Sequence, residues 1–344
     1  MKKHVNIPIF IPHLGCPNQC VFCNQRTISG VERFDISKVR IEIESALATV
    51  DTNQEAEIAF FGGSFTGIDR ELMISLLKLA NEYILSGSVK SIRCSTRPDY
   101  IDDEVLDILK EYNVDTVELG LQSTSDKVLL LSKRGHLRSD EEKACRLIVS
   151  RGFKLVGQMM IGLPGSTLED EIQTADFIIE SGAVGARIYP TVVFRDTELC
   201  DMSERGEYSP IGLKDAIERS AVILEMFYSS GVDVIRIGLC ASENLSDEEK
   251  YYAGPNHPAL GEMIEGALFY NRITRSLDKR RSYIGDEIRI YVAPGCLSKA
   301  IGQKKSNKER IIREYGFKDI KFKESDSLFG YELMIEEERK RECT

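Results

Sequence analysis

The strongest constraint on this fold is a repeated change of period. From His4 to Val193 short apolar runs alternate with amphipathic stretches of helical period. Strands are expected over residues 4–13, 57–61, 91–94, 116–121, 154–161 and 186–193. Helices are expected near 37–50, 70–85, 102–112, 125–131, 139–151 and 168–180. Strands separated by helices imply parallel neighbours joined by right-handed crossovers. The near-continuous apolar runs suit a sheet buried on both faces. The fold class is therefore α/β, as an open doubly wound sheet or a full or partial barrel.

In such folds sites are built at one end of the sheet, where the strands run out. The residues after each strand are the informative ones. Strand one leads into Gly15-Cys16-Pro17-Asn18-Gln19-Cys20-Val21-Phe22-Cys23, a loop with C-x3-C-x2-C spacing. Strand two ends in Gly62-Gly63-Ser64, strand three in Ser95-Thr96-Arg97-Pro98-Asp99, and strand four in Gln122-Ser123. Tyr189, Pro190 and Thr191 come late in strand six, and Gln158 lies inside strand five. Two readings of the cysteines stand side by side. One is a zinc site completed by a nearby histidine such as His13. The other is an iron–sulfur cluster one thiolate short of the usual four, with one iron left open.

Composition narrows the setting. With 344 residues the chain can hold one large core and a small appendix. No apolar run of about 20 residues exists, and Met1-Lys2-Lys3-His4 leads straight into a strand without a secretory pattern. Nine cysteines, an odd number, without such a pattern point to a reducing, cytoplasmic setting and no membrane. Cys94, Cys145, Cys200, Cys240, Cys296 and Cys343 are scattered and read as small buried hydrophobes. Cys240 alone has a second reading, as a hydrogen or electron donor. The net charge of −10 is uneven: residues 279–323 carry 13 Lys/Arg against 5 Asp/Glu, while 324–344 carry 3 against 7. A basic segment on an acidic body suggests a polyanionic partner.

The cysteine spacing, with Phe22 directly before the last cysteine, resembles that of the radical S-adenosylmethionine (SAM) superfamily. Further stretches are similar to the radical SAM domain of the Elongator catalytic subunit, a tRNA-modifying enzyme. They are Phe60–Phe65 (FFGGSF), Thr96–Tyr100 (TRPDY), Val117–Ser123 (VELGLQS), Lys133–His136 (KRGH) and Ile161–Thr167 (IGLPGST). Oxygen-independent coproporphyrinogen oxidases look similar over the same region at greater distance. The resemblance implies a partial parallel (β/α)6 radical SAM barrel over residues 1–195.

It also implies a chemistry. In such enzymes Cys16, Cys20 and Cys23 would hold three irons of a [4Fe–4S] cluster, and the fourth iron would bind SAM. One electron, from a partner such as flavodoxin or ferredoxin, cleaves a carbon–sulfur bond. The 5′-deoxyadenosyl radical so formed takes a hydrogen from the substrate. By motif position Phe22 would lie near the adenine, and Gly62, Gly63 and Ser64 would face the methionyl amino group. Gln122 would reach the ribose or methionyl part and Arg134 the carboxylate, a match of guanidinium fork to carboxylate. Gln158 and Ile188 fall at cofactor-lining positions. One departure is Ser95, where Elongator-like sequences carry a Glu able to accept ribose hydroxyls.

Residues 196–280 read as an extension that completes the barrel. A helix is expected near 213–229, a short edge strand at 232–237 and a helix at 260–276; residues 251–258 read as a loop. Residues 281–344 form a small α+β module with an acidic tail. Its order is strand 287–292, short helical turn, the loop Gly302-Gln303-Lys304-Lys305, helix 306–315, strand 319–322. This resembles a KH RNA-binding module, which clamps nucleotides on a GXXG loop. The second glycine is replaced by Lys305; Gly302, Lys304 and Lys305 are the candidate RNA contacts. The expected activity is radical SAM modification of RNA, in the first place tRNA. Oxidation or decarboxylation of a small molecule such as a porphyrinogen, and a non-catalytic iron–sulfur or RNA-binding protein, are the alternatives. No stretch matches Elongator's acetyltransferase domain, so carboxymethylation from acetyl-CoA is not implied.

Overall fold

The computed structural model describes residues 3–11, 14–16, 20–24, 34–51, 54–239, 250–279 and 287–337. The chain divides into two compact units, Met1–Gly212 with Met226–Asn256, and Leu213–Glu225 with His257–Thr344.

The first unit is built on seven parallel strands. β1 (Lys3–Ile11), β2 (Gln54–Gly62), β3 (Ser91–Thr96), β4 (Val114–Gln122), β5 (Lys154–Ile161) and β6 (Gly185–Pro190) lie side by side in chain order. A short β7 (Val193–Phe194) stands apart from this sheet, and β8 (Asp233–Ile237) pairs with β6 as the seventh strand. The crossovers carry α1 (Ile36–Leu47), α2 (Arg70–Leu85), α3 (Asp103–Glu111), α4 (Asp126–Leu131), α5 (Arg138–Ser150) and α6 (Leu168–Glu180). Their starts are chemically marked. Asp69 and Asp102 accept backbone N–H bonds at the starts of α2 and α3, and Thr167 with Asp170 forms a capping box on α6. Ile58, Phe60, Ile92, Cys94 and Leu119, with Leu76 and Leu77 of α2, are fully buried in the apolar core.

The inner face of the sheet is different. Along β3, Ser91, Arg93 and Ser95 alternate with the buried Ile92, Cys94 and Thr96. Arg187 of β6 lies 5.3 Å over the ring of Phe61 on β2. Those strands are four spacings apart, roughly 19 Å in a flat sheet. The sheet therefore curls into a half-barrel with a polar concave face.

After β6 come α7 (Glu198–Glu204) and α8 (Leu213–Ser229), the second of which runs from one unit into the other. β9 (Tyr251–Ala253) pairs antiparallel with β7. In the second unit α9 (Leu260–Lys279) precedes β10 (Glu287–Val292), α10 (Leu297–Ile301), α11 (Ser306–Tyr315), β11 (Asp319–Glu324) and β12 (Leu333–Glu337). β10 is central, parallel to β11 and antiparallel to β12. Its core gathers Phe269, Ile273, Ile288, Ile290, Ile311 and Ile320. Among the described residues no helix is long and apolar enough to cross a membrane. Cys94, Cys145 and Cys200 are buried and Cys296 is half-buried; Cys240 and Cys343 lie outside the described residues.

Candidate active site

The cysteine loop is fixed by bare backbone. Gly63 N–H donates to Ile11 O at 2.8 Å, and Ser64 N–H to Leu14 O at 3.1 Å. A Cβ on Gly63 would lie 2.0 Å from Leu14 O, and one on Gly15 would lie 2.2 Å from Ser64 O. Only glycine permits this approach. The Gly-Gly pair thus has a structural task, holding the start of the loop against the end of β2. Ser64 is fully buried, with its hydroxyl 2.8 Å from that of Thr96.

Further along, Val21 N–H donates to Ser132 O at 3.2 Å, and Leu199 N–H donates to Val21 O at 2.8 Å. Cys23 N–H closes a turn on Cys20 O at 3.0 Å. Phe22 packs half-buried on a small cluster of Val21, Val193, Leu199, Cys200 and Tyr208.

Cys20 is buried, and two guanidinium groups meet its sulfur. Arg134 Nη1 donates to Sγ at 3.2 Å and Arg97 Nη1 at 3.9 Å. Arg134 also donates through Nη2 to Gly120 O. A Cβ on Gly120 would meet Gln122 Nε2 at 2.9 Å and Arg134 Nη2 at 3.5 Å. Gln122 holds a φ of +74° where the β4–β5 register shifts, so its side chain folds back over Gly120. The geometry gathers Cys20, Arg97, Gln122 and Arg134 around the end of β4.

Behind them Arg97 is held bidentately by Asp99, at 2.9 Å on each oxygen. His136 Nδ1 is 3.7 Å from Asp99, and its Nε2 is 3.1 Å from Glu141. Burial, then the Arg134 charge, pushes His136 down to about 3. Burial pushes Glu141 well above the usual carboxylate range. Burial thus disfavours the charged form of both side chains.

A second polar layer lies deeper along the same face. Glu118, with no exposed surface, receives five donors. Arg187 bonds it through Nε at 2.8 Å and Nη2 at 2.9 Å, Arg93 through Nη1 at 2.7 Å. Gln158 Nε2 at 3.3 Å and Ser95 Oγ at 3.4 Å complete the set. Arg93 continues to Glu57, which also accepts from Ser91 at 2.7 Å. Burial pushes the Glu118 carboxyl up, but Arg187 and Arg93 outweigh it, and the net shift is downward.

The candidates read from the sequence therefore fall into two groups. Gln122 and Arg134 join Cys20, while Ser95 and Gln158 join Glu118. Ile188 is brought to neither. Arg187 and Tyr189 occupy the inner face, so strand alternation turns the fully buried Ile188 to the outer one, and its expected cofactor-lining position is corrected. Arg97, Glu118, Arg93 and Arg187 were not singled out in the sequence. For Glu118, Arg93 and Arg187 the signal was an ionisable residue inside a strand; Arg97 lies in the polar stretch just after strand three.

The cysteines suit an iron–sulfur cluster. None of the three is in a disulfide. Burial pushes the Cys16 thiol up, while the Arg97 and Arg134 charges favour its thiolate. Arg134 is 5 % exposed, and its Nε has no hydrogen-bond partner among the described residues. A buried cation with spare donors suits an anionic group placed beside it. No three His, Cys, Asp or Glu side chains among the described residues converge as a single-ion site requires. Cluster thiolates each take their own iron. His13, the suggested completion of a zinc site, lies outside the described residues.

A curled parallel sheet with this loop at its strand ends defines a class, and sequence comparison agrees with it. The chain belongs to the radical SAM superfamily, whose model matches residues 10–178, followed by a radical SAM C-terminal domain over 183–269. It is 31 % identical over 223 residues to an uncharacterized protein of Methanocaldococcus jannaschii, covering 60 % of this chain and 67 % of that one. It is 30 % identical over 205 residues to the tRNA uridine(34) acetyltransferase of Methanocaldococcus infernus, covering 53 % of this chain and 38 % of the relative. The structure of Methanocaldococcus infernus Elp3 lacking residues 1–46 superimposes with a TM-score of 0.61 at 20 % identity. That match covers 80 % of this chain and 64 % of the other, a likeness of fold. The chain thus spans under two thirds of both of the last two.

Proposed function

We propose that this protein is an enzyme that cleaves SAM reductively and uses the resulting radical to modify RNA, in the first place tRNA. The observation that carries the first half is the gathering of Cys20, Arg97, Gln122 and Arg134 at the end of β4. When bound on Cys16, Cys20 and Cys23, a [4Fe–4S] cluster with one open iron supplies the electron that breaks the sulfonium carbon–sulfur bond of SAM. The chain's own residues have separate tasks. The cysteine loop and the Gly62-Gly63 turn hold the three thiols. Arg134, with Nε and a fork beside Cys20, offers positive charge to a carboxylate, and Gln122 offers an amide to the same ligand. Phe22 offers a half-buried ring and Gly62 with Gly63 offer bare backbone. Gln158 and Ser95 act through the deeper layer, where both donate to Glu118. A flavodoxin- or ferredoxin-type donor supplies the electron.

The RNA half rests on the second unit and on the tRNA-modifying relative. Gly302, Lys304 and Lys305 have φ of +78°, +51° and +65°, and both lysines are exposed. A Cβ on Gly302 would lie 2.6 Å from Ser306 Oγ, so the turn needs this glycine. Lys305 adopts at the fourth position the left-handed backbone that a glycine supplies in a GXXG loop. The test is a binding titration of bulk tRNA against the reconstituted protein. Wild type should bind at low salt. A Lys304→Glu/Lys305→Glu variant should bind more weakly, with a shallower salt dependence, each lost phosphate contact removing about 0.7–0.9 from the log–log slope. Absence of tRNA binding by wild type at low salt would end the RNA reading. Mass spectrometry of tRNA nucleosides from cells with and without the gene would then identify the modified nucleoside.

A further inference from the structure

The two arginines on Cys20 are not equivalent. Arg134 has spare donor capacity and no carboxylate in hydrogen-bond contact among the described residues. Arg97 is fully engaged. It donates through Nη1 to Cys20 Sγ at 3.9 Å, through Nη2 to the Arg134 carbonyl, and through both Nε and Nη2 to Asp99 at 2.9 Å. It is 4 % exposed, and His136 Nδ1 lies 3.7 Å from Asp99, outside hydrogen-bond distance. The sulfur, the second arginine's backbone and the Asp99 carboxylate are thus tied by one planar group.

We propose that Arg97 is a positioning residue that, balanced by Asp99, sets how readily the iron–sulfur cluster on Cys20 accepts an electron. The inference rests on Cys16, Cys20 and Cys23 being cluster ligands. A hydrogen bond or a positive charge at a ligand sulfur favours the more negative, reduced form and raises the reduction potential. Asp99 acts the other way, because its carboxylate cancels part of the Arg97 charge. Arg97 and Asp99 should therefore move the potential in opposite directions. A merely structural role gives no reason for opposite signs, since loosening either residue disturbs the same loop.

The test is potentiometric titration of the full chain, anaerobically reconstituted, followed by electron paramagnetic resonance and checked by iron and sulfide content. The reductant is dithionite, a one-electron donor of low potential. Arg97→Gln should shift the midpoint negative by about tenfold in the reduction equilibrium, about 59 mV for a one-electron couple. Asp99→Asn should shift it positive. Arg97→Lys, which keeps the charge but not the fork, should fall between wild type and Arg97→Gln. Unchanged potentials, or shifts of the same sign in Arg97→Gln and Asp99→Asn, would overturn the inference. If Arg97→Gln takes up no cluster, Asp99→Asn decides: a positive shift supports the inference, and a null or negative shift overturns it. Wild-type protein that takes up no [4Fe–4S] cluster would overturn the cluster reading and this inference with it.

Discussion

Two arginine-rich layers share the concave face of the half-barrel, and they are finished differently. In the deeper one Arg93 and Arg187 converge on Glu118, and Arg93 continues to Glu57. Every carboxylate oxygen of Glu118 is engaged, so the layer ties β3, β4, β5 and β6 together. At the strand ends Asp99 holds Arg97, and Arg134 has no carboxylate in hydrogen-bond contact among the described residues. Arg134 turns to a sulfur and a backbone carbonyl, with Nε left over. The first layer is closed by the protein itself; the second leaves a buried cation with a spare donor, which the proposed function assigns to a ligand. The same residue types serve as a structural tie in one place and, on that proposal, as a receptor for negative charge in the other.

The sharpest way to break this comparison is to remove one charge from each layer. Glu118→Gln strands two arginines and should cost about 3–5 kcal/mol in urea unfolding of the cluster-free protein. Arg134→Gln orphans no carboxylate and should cost much less in the same assay, while lowering cluster retention. Equal losses would erase the distinction.

A smaller effect is expected at the turn beneath the cysteines. Gly63→Ala forces a Cβ onto Leu14 O and should cost about 1–3 kcal/mol. Iron content after reconstitution should fall more than stability does. Full cluster uptake by this variant would show that the close approach of the two backbones is dispensable.

The smallest effect is a pH dependence. Glu118 has its folded pKa below the ordinary value, so its contribution is complete above that value and is lost as pH falls through the lowered one. The stability gap between wild type and Glu118→Gln should therefore narrow below about pH 4.5, the ordinary carboxylate value. A gap that stays constant into acid would place the pairing energy elsewhere.

The strand ends were legible in the sequence because each apolar run stops at a glycine or polar residue. The cysteine spacing and the short edge strand at 232–237 were legible for similar local reasons. The inner face was not. Glu57, Arg93, Glu118 and Arg187 sit inside apolar runs, which suggested a sheet buried on both sides, whereas the concave side is polar. Pairing across strands, as between Arg187 and Glu118, has no local signature. The same limit hid Arg97, whose contact with Cys20 spans 77 residues of chain. Ile188 was misplaced for a different reason: period-2 alternation from Arg187 already turned it outward. In the second unit the order of elements was readable, but β12 and its antiparallel pairing with β10 were not, because its short apolar run Leu333-Met334-Ile335 merged with the acidic residues of the tail.

The central claim is that the three cysteines, with Arg97 and Arg134 beside them, hold a cluster with one iron open to SAM. The most direct measurement is electron paramagnetic resonance of the reduced, reconstituted protein with and without SAM, paired with chromatographic detection of 5′-deoxyadenosine. A [4Fe–4S] signal that changes when SAM is added, with 5′-deoxyadenosine formed under dithionite and abolished by Cys20→Ala, is the predicted result. A cluster signal indifferent to SAM, with no 5′-deoxyadenosine formed, would contradict it.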